Sequence, residues 1–213
     1  MKQMNLAYYL MIILVLCFIG CGSKQQENTN ISSQKIDEDV LEQIDEFATD
    51  EGESGQEAWN RLSSYSREDL LASLQRLQNR EPEDEVLRVH IAFVLCNLNY
   101  EYNTNRQIIT TAFNKSLDYA DRFQGIIARL IDRGDEDLLP VLFAVTPRSD
   151  GSLSEGLGSI FATQMKKKPE HFSSKLNSQP QVVKQHVYAL MELGMSEEEY
   201  DKIKSTWINK VKK

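Results

Sequence analysis

Apolar residues recur at three- and four-residue spacing along most of this chain, and no run alternates convincingly at period two. Ile36, Val40, Ile44 and Phe47 predict a short amphipathic helix, broken by the stretch Asp50-Glu51-Gly52-Glu53-Ser54-Gly55. Leu70, Leu71, Leu74 and Leu77 predict another. Ser66 stands as its N-cap, Asp69 lies three residues on, and Tyr65 and Leu70 occupy the staple positions. From Pro82, placed for a first turn, to about Asn99 the chain is apolar almost all round, through Val86, Leu87, Val89, Ile91, Phe93, Val94, Leu95 and Leu98. Such a helix belongs at the centre of a fold.

The same punctuation continues to the end. Thr104 with Gln107, and Ser152 with Glu155, are capping-box candidates, and Ser116 or Asp118 opens the helix of Ala120, Phe123, Ile127, Leu130 and Ile131 that Gly134 stops. Pro140, Pro169 and Pro180 suit first turns. Gly194 caps the helix of Val183, Val187, Leu190 and Met191. Ser196 and Glu199, flanked by Met195 and Tyr200, open a last helix striped by Tyr200, Ile203, Trp207 and Val211. These signals predict about eight to ten helices and an all-α fold. The expected layout is stacked antiparallel helices, either an irregular α-solenoid or a compact helical bundle, since no fixed-period repeat is present. In rhythm alone it is similar to HEAT-type repeat proteins.

The N-terminal end reads differently. Lys2 precedes an apolar run from Leu10 to Ile19, short for a membrane span but suited to a secretory signal. Phe18-Ile19-Gly20-Cys21 follows, and then polar Gly22-Ser23-Lys24. These residues resemble the lipobox of bacterial lipoproteins, with Phe18 where that family usually carries an aliphatic residue. The resemblance implies cleavage before Cys21, acylation of the Cys21 thiol and of the new amine, and a membrane anchor of several chains. Gly22 is not the acidic residue that resembles an inner-membrane retention signal of enteric bacteria. A periplasm-facing outer membrane is therefore the favoured destination where the cell has one. The expected organisation is a signal peptide at 1–20, a flexible tether at 21–36, an acidic helix and linker at 37–55, and an all-helical domain at 56–213.

Charge sharpens this picture. Of the net charge of −8 over 213 residues, the segment Gly22 to Asn60 alone holds eleven acidic residues against Lys24 and Lys35, and the remainder to Lys213 balances. The segment reads as a solvated, self-repelling spacer. Without a domain-scale basic excess, nucleic-acid binding is not expected.

Candidate chemistry is sparse. His90, His171 and His186 offer no i, i+4 pair to converge on a metal, and no cofactor motif is present. Cys96, within Ile91-Ala92-Phe93-Val94-Leu95-Cys96, reads as a buried inert thiol. Asp132 and Asp135 form an acidic pair of the kind that flanks a cation or a glycosidic bond, though such pairs are common on helical surfaces. Gly156, Ser159 and Thr163 suggest a small-residue face for close helix approach. Lys166-Lys167-Lys168 reads either as ordinary helix termination or as a contact for a membrane or an acidic partner. The stretch Asn97 to Asn105 sets two tyrosines among asparagines, and Tyr100, Tyr102 and Asn103, with Trp207 farther on, are the expected interaction surface. No catalytic residues are assigned and no enzyme is expected. The expected function is a membrane-tethered envelope lipoprotein that acts as a helical scaffold for an envelope protein. A receptor for a small ligand or peptide is the alternative.

Overall fold

The computed structural model describes residues 34–205, so Cys21 and Trp207 both lie outside the described residues. Within them the fold is all-α: eleven helices and no strand. No helix among the described residues is long and apolar enough to cross a membrane. Contacts divide the chain into two compact units, Met1–Pro82 and Glu83–Lys213.

The first unit holds α1 (residues 34–49), α2 (Glu53–Ser64) and α3 (Arg67–Arg80). The predicted stripe of α1 is buried at Val40, Ile44, Phe47 and Ala48, matched by Ala58 and Leu62 of α2 and by Leu70, Leu74 and Leu77 of α3. Phe47 lies against Trp59 with ring centroids 4.9 Å apart. The acidic helix and linker expected at 37–55 thus fall, with α2 and α3, in one compact unit that ends at Pro82. The break between α1 and α2 is shorter than expected because α2 already begins at Glu53. Gly55 permits this: a Cβ there would lie 1.9 Å from the Asp50 carbonyl oxygen.

An ion pair between buried Asp37 and the partly exposed Arg76 fastens α1 to α3. Asp37 accepts from the Ser73 hydroxyl at 2.6 Å, from Arg76 Nη2 at 2.7 Å and from Arg76 Nε at 3.0 Å. Burial alone would raise the Asp37 pKa, but the Arg76 and Ser73 bonds outweigh it and hold the carboxyl below its ordinary 3.8. Tyr65, past the end of α2, donates to Asp39, and that bond with burial pushes the phenol up to about 12.

The second unit begins with α4 (Glu85–Asn97), α5 (Tyr102–Phe113) and α6 (Leu117–Asp132). As the pattern requires, α4 is buried nearly all round, from Leu87 through Phe93 to Cys96. It opens one residue after Asp84, whose carboxylate accepts from the Leu87 N–H at 3.0 Å, and Pro82 stands outside it. Cross-links at the two ends fix direction. Lys115, just past α5, pairs with Glu85 at the start of α4 at 2.8 Å, while Arg133, just past α6, bonds Asn97 at the end of α4. α4 and α6 therefore run parallel, with α5 antiparallel to both.

A short 3-10 turn (Glu136–Leu138) leads into α7 (Leu139–Val145), then a second (Thr146–Arg148), α8 (Gly151–Lys167), α9 (Pro169–Asn177), α10 (Gln181–Leu193) and α11 (Glu197–Ile203). Phe143 of α7, Phe161 of α8 and Phe172 of α9 form a buried aromatic triad with centroids 5.3, 5.3 and 6.0 Å apart. The Ser196–Glu199 box forms as expected, with both reciprocal bonds present. The Ser152–Glu155 box does not: α8 starts at Gly151, and Ser152 instead donates to Asp121 of α6 at 2.8 Å.

The small-residue face also lies elsewhere than expected, since Ser159 and Thr163 are exposed. The close approach is at Gly158, where a Cβ would stand 2.5 Å from the Leu190 carbonyl oxygen, and at Gly194, where one would stand 2.5 Å from that of Gly158. α8 and the end of α10 meet backbone to backbone. Gly156 instead makes room for the Gln124 side-chain amide of α6.

Two outcomes follow. With Trp207→Phe as background, so that Trp59 alone reports, Asp37→Asn should lower the stability of the first unit by about 1–3 kcal/mol at neutral pH. Because the folded pKa is depressed, the pair's contribution is full above 3.8 and lost as pH falls through the lower folded value, so the difference between variant and parent should close there. In thermal melts, Gly158→Ala should destabilise although alanine favours helix by about 1 kcal/mol, because backbone blocks the methyl and overpacking costs about 1–3 kcal/mol. Gly156→Ala, which meets only a side-chain end, should be near neutral.

Candidate functional site

Two helix ends and one helix start meet at the same end of the second unit. α4 finishes with Asn99 in the left-handed region at φ 52°. The Tyr100 N–H reaches back to the Leu95 carbonyl at 2.9 Å, and the Asn99 N–H to that of Cys96 at 3.1 Å. α6 finishes the same way around Gly134 at φ 111°, with the Asp135 N–H on the Leu130 carbonyl at 3.1 Å and the Gly134 N–H on that of Ile131 at 2.9 Å. α5 begins between them, earlier than the Thr104 cap suggested. Its N-cap is Glu101, which contributes no side-chain bond.

Glu101 is itself left-handed at φ 43°, so left-handed residues flank Tyr100 on both sides. For a residue with a Cβ this costs about 1 kcal/mol, more readily tolerated by asparagine than by glutamate. Buried Asn105 holds the bend, its amide donating to the Tyr100 carbonyl at 2.9 Å and to that of Glu101 at 3.2 Å. The result is a tight corner that leaves Tyr100 37% exposed, one of three large apolar side chains so exposed among the described residues.

Beneath the corner lies a cleft of about 380 Å³, lined by Cys96, Asn99, Tyr102, Leu130, Arg133, Gly134 and Asp135. Asp135 is its organising charge, with its side chain 14% exposed. Its Oδ2 accepts from the Tyr102 hydroxyl at 2.8 Å and from Arg106 Nε at 2.5 Å. Tyr102 and Arg106 sit four apart on α5 and so present the same face. Burial, then the bond to Asp135, raises the Tyr102 pKa. Cys96 is 3% exposed, and burial, with Asp135 adding, pushes its thiol up to about 12. It remains a neutral thiol, not a nucleophile. Arg133 donates to both the side chain and the carbonyl of Asn97, capping the end of α4 with a cation.

The expected surface residues thus have different fates. Tyr100 and Asn103 are outward, while Tyr102 is half-buried and tied to Asp135. Asp132 and Asp135 do not act together: Asp132 takes Gln164 at 2.6 Å and Lys167 at 2.9 Å, while Asp135 turns to α5. The three lysines in a row also separate, Lys166 to Glu199 at 2.8 Å, Lys167 to Asp132, and Lys168 to Glu136, so each has an intramolecular partner. His90 is buried with its ring edge-on to Phe123, 6.3 Å between centroids. His171 bonds Glu136 at 2.7 Å, and His186 is exposed. Among the described residues no group of His, Cys, Asp and Glu side chains is arranged to hold a metal ion. Arg106 and Arg133 went unmarked in the sequence, and Asn105 was marked only as part of the Asn97 to Asn105 stretch; the signal available was the spacing of Arg106 from Tyr102.

Alkali should test the cleft. Cys96 titrates near 9.0 when unfolded and near 12 when folded, so the unfolded chain sheds this proton first and stability falls as pH rises above 9. Tyr102 adds to the loss above 10. Urea melts should show this decline, and Cys96→Ala should flatten it between pH 9 and 10 while costing about 1–2 kcal/mol at neutral pH. No family model matches the chain, and no curated protein or solved structure matches it either.

Proposed function

We propose that this chain is a lipid-tethered protein of the bacterial envelope whose helical body is an interaction scaffold, with the α4–α5 corner as its recognition surface. The N-terminal address supports the first half: a short apolar run that ends in Gly20-Cys21 before a polar segment. The observation that carries the second half is the corner itself. Two non-glycine residues stay left-handed around an exposed tyrosine, and buried Asn105 maintains that geometry. Strain kept at a surface corner suits presentation of a side chain to a partner better than chain reversal, which a glycine would accomplish without it. Tyrosine offers contact area at low entropic cost, and Asn103 beside it offers adaptable hydrogen bonds. The cleft favours a second reading, a receptor for a small ligand or peptide, because its volume falls in the range of ligand pockets, about 300–1,000 Å³.

Fractionation and capture test the two halves separately. Cys21→Ala should leave an unprocessed precursor or release the protein from membranes. Processing and attachment identical to the parent's would refute the tether. A photo-crosslinking residue at position 100 should trap one stoichiometric envelope protein, with much weaker trapping from position 182 on α10. Equal trapping from both positions would refute the corner as the recognition surface.

A further inference from the structure

The cleft's lining narrows what it can hold. We propose that it binds a neutral, hydroxyl-rich ligand, a saccharide, with Arg133, Asp135 and Asn99 as the hydrogen-bonding groups. This inference rests on the receptor reading above.

The argument begins with charge. The charged lining residues are Arg133 and Asp135, one of each sign. Arg106 brings a second cation to Asp135 and the start of α5 about half a positive charge, while the two helix ends oppose these with about half a negative charge each. The sum is about half a positive charge, so an ion entering the cleft would give up water with less than one full counter-charge to receive it.

Hydrogen-bonding capacity is mixed in the same way. Tyr102 and Arg106 both donate to Asp135 Oδ2, which leaves Oδ1 for another donor. Arg133 has guanidinium hydrogens beyond those given to Asn97, and the Asn99 amide both donates and accepts. A sugar hydroxyl does both as well, and neighbouring hydroxyls on a ring present donor and acceptor side by side. Asp135 and Arg133 are held in place by their own bonds, so little side-chain entropy remains to be lost on binding. Leu130 and Cys96 supply an apolar floor for the C–H face of a sugar ring.

The test is a titration of the isotope-labelled full chain in detergent micelles, followed by amide resonances. N,N′-diacetylchitobiose and maltose are the probes, with citrate and spermidine as charged comparisons. Either disaccharide should give saturable shifts at Asn99, Tyr102 and Gly134. Arg133→Ala, an exposed position whose loss should leave the helical circular dichroism intact, should weaken the affinity about tenfold. Saturable shifts from citrate or spermidine but from neither disaccharide would overturn the saccharide assignment and leave the receptor reading standing. Shifts from none of the four would overturn both.

Discussion

Much of the second unit depends on one left-handed turn. Gly134 ends α6 at φ 111°, and around it the six residues Asp132 to Asp137 distribute their charges to different sides. Asp132 meets α8, Arg133 caps α4, Asp135 receives α5, and Glu136 and Asp137 reach Lys168, His171 and Lys175 at the start and along α9. With a side chain at position 134 this conformation would be strained. The contacts on the two sides are not equivalent. Asp135 is shielded, so its bonds act in a lower dielectric, whereas Asp137 and Lys167 are largely exposed and their pairs are weak and screened by salt. The turn is anchored on the cleft side and trimmed on the other.

Packing, not these charges, holds the rest. The Phe143, Phe161 and Phe172 triad ties three consecutive helices through ring contacts, and the Gly158–Gly194 approach lets α8 and α10 meet without intervening side chains. In the first unit the three-helix core is small, and one buried polar clamp, Asp37 with Ser73 and Arg76, supplements it. A carboxylate in that position is tolerated only because three donors offset its desolvation.

Helix content was legible because local rules agree with burial over most of the chain. Where Ser66, Ser116 and Ser196 precede their helices, the side chain makes the bond that the pattern implies. Where they fail, another side-chain bond intervenes, local in one case and tertiary in the other. Thr104 is bypassed because Asn105 pins the chain one turn earlier, and Ser152 is drawn to Asp121 instead of its own helix. The acidic stretch read as a spacer because charge dominates its composition. Its apolar stripe was visible, but its match on α2 and α3 was not, since that match is a property of three segments at once. The candidate site was half legible for the same reason. Tyrosines and asparagines stand out locally, whereas Asp135 and Arg133 join them only because two parallel helices end side by side. The lysine run misled in the opposite direction. Adjacent charges suggest a patch, but successive helical positions point about 100° apart, and here each finds its own carboxylate.

The environment of Cys96 carries a consequence for how the folded chain would respond to oxidants. Thiol–disulfide exchange begins with an exposed thiolate, and this sulfur is neither exposed nor ionised at neutral pH. Two folded molecules that meet would therefore not become covalently joined through it. Before folding is complete the same sulfur has no such shelter, so the window for wrong pairing closes when α4 becomes enclosed.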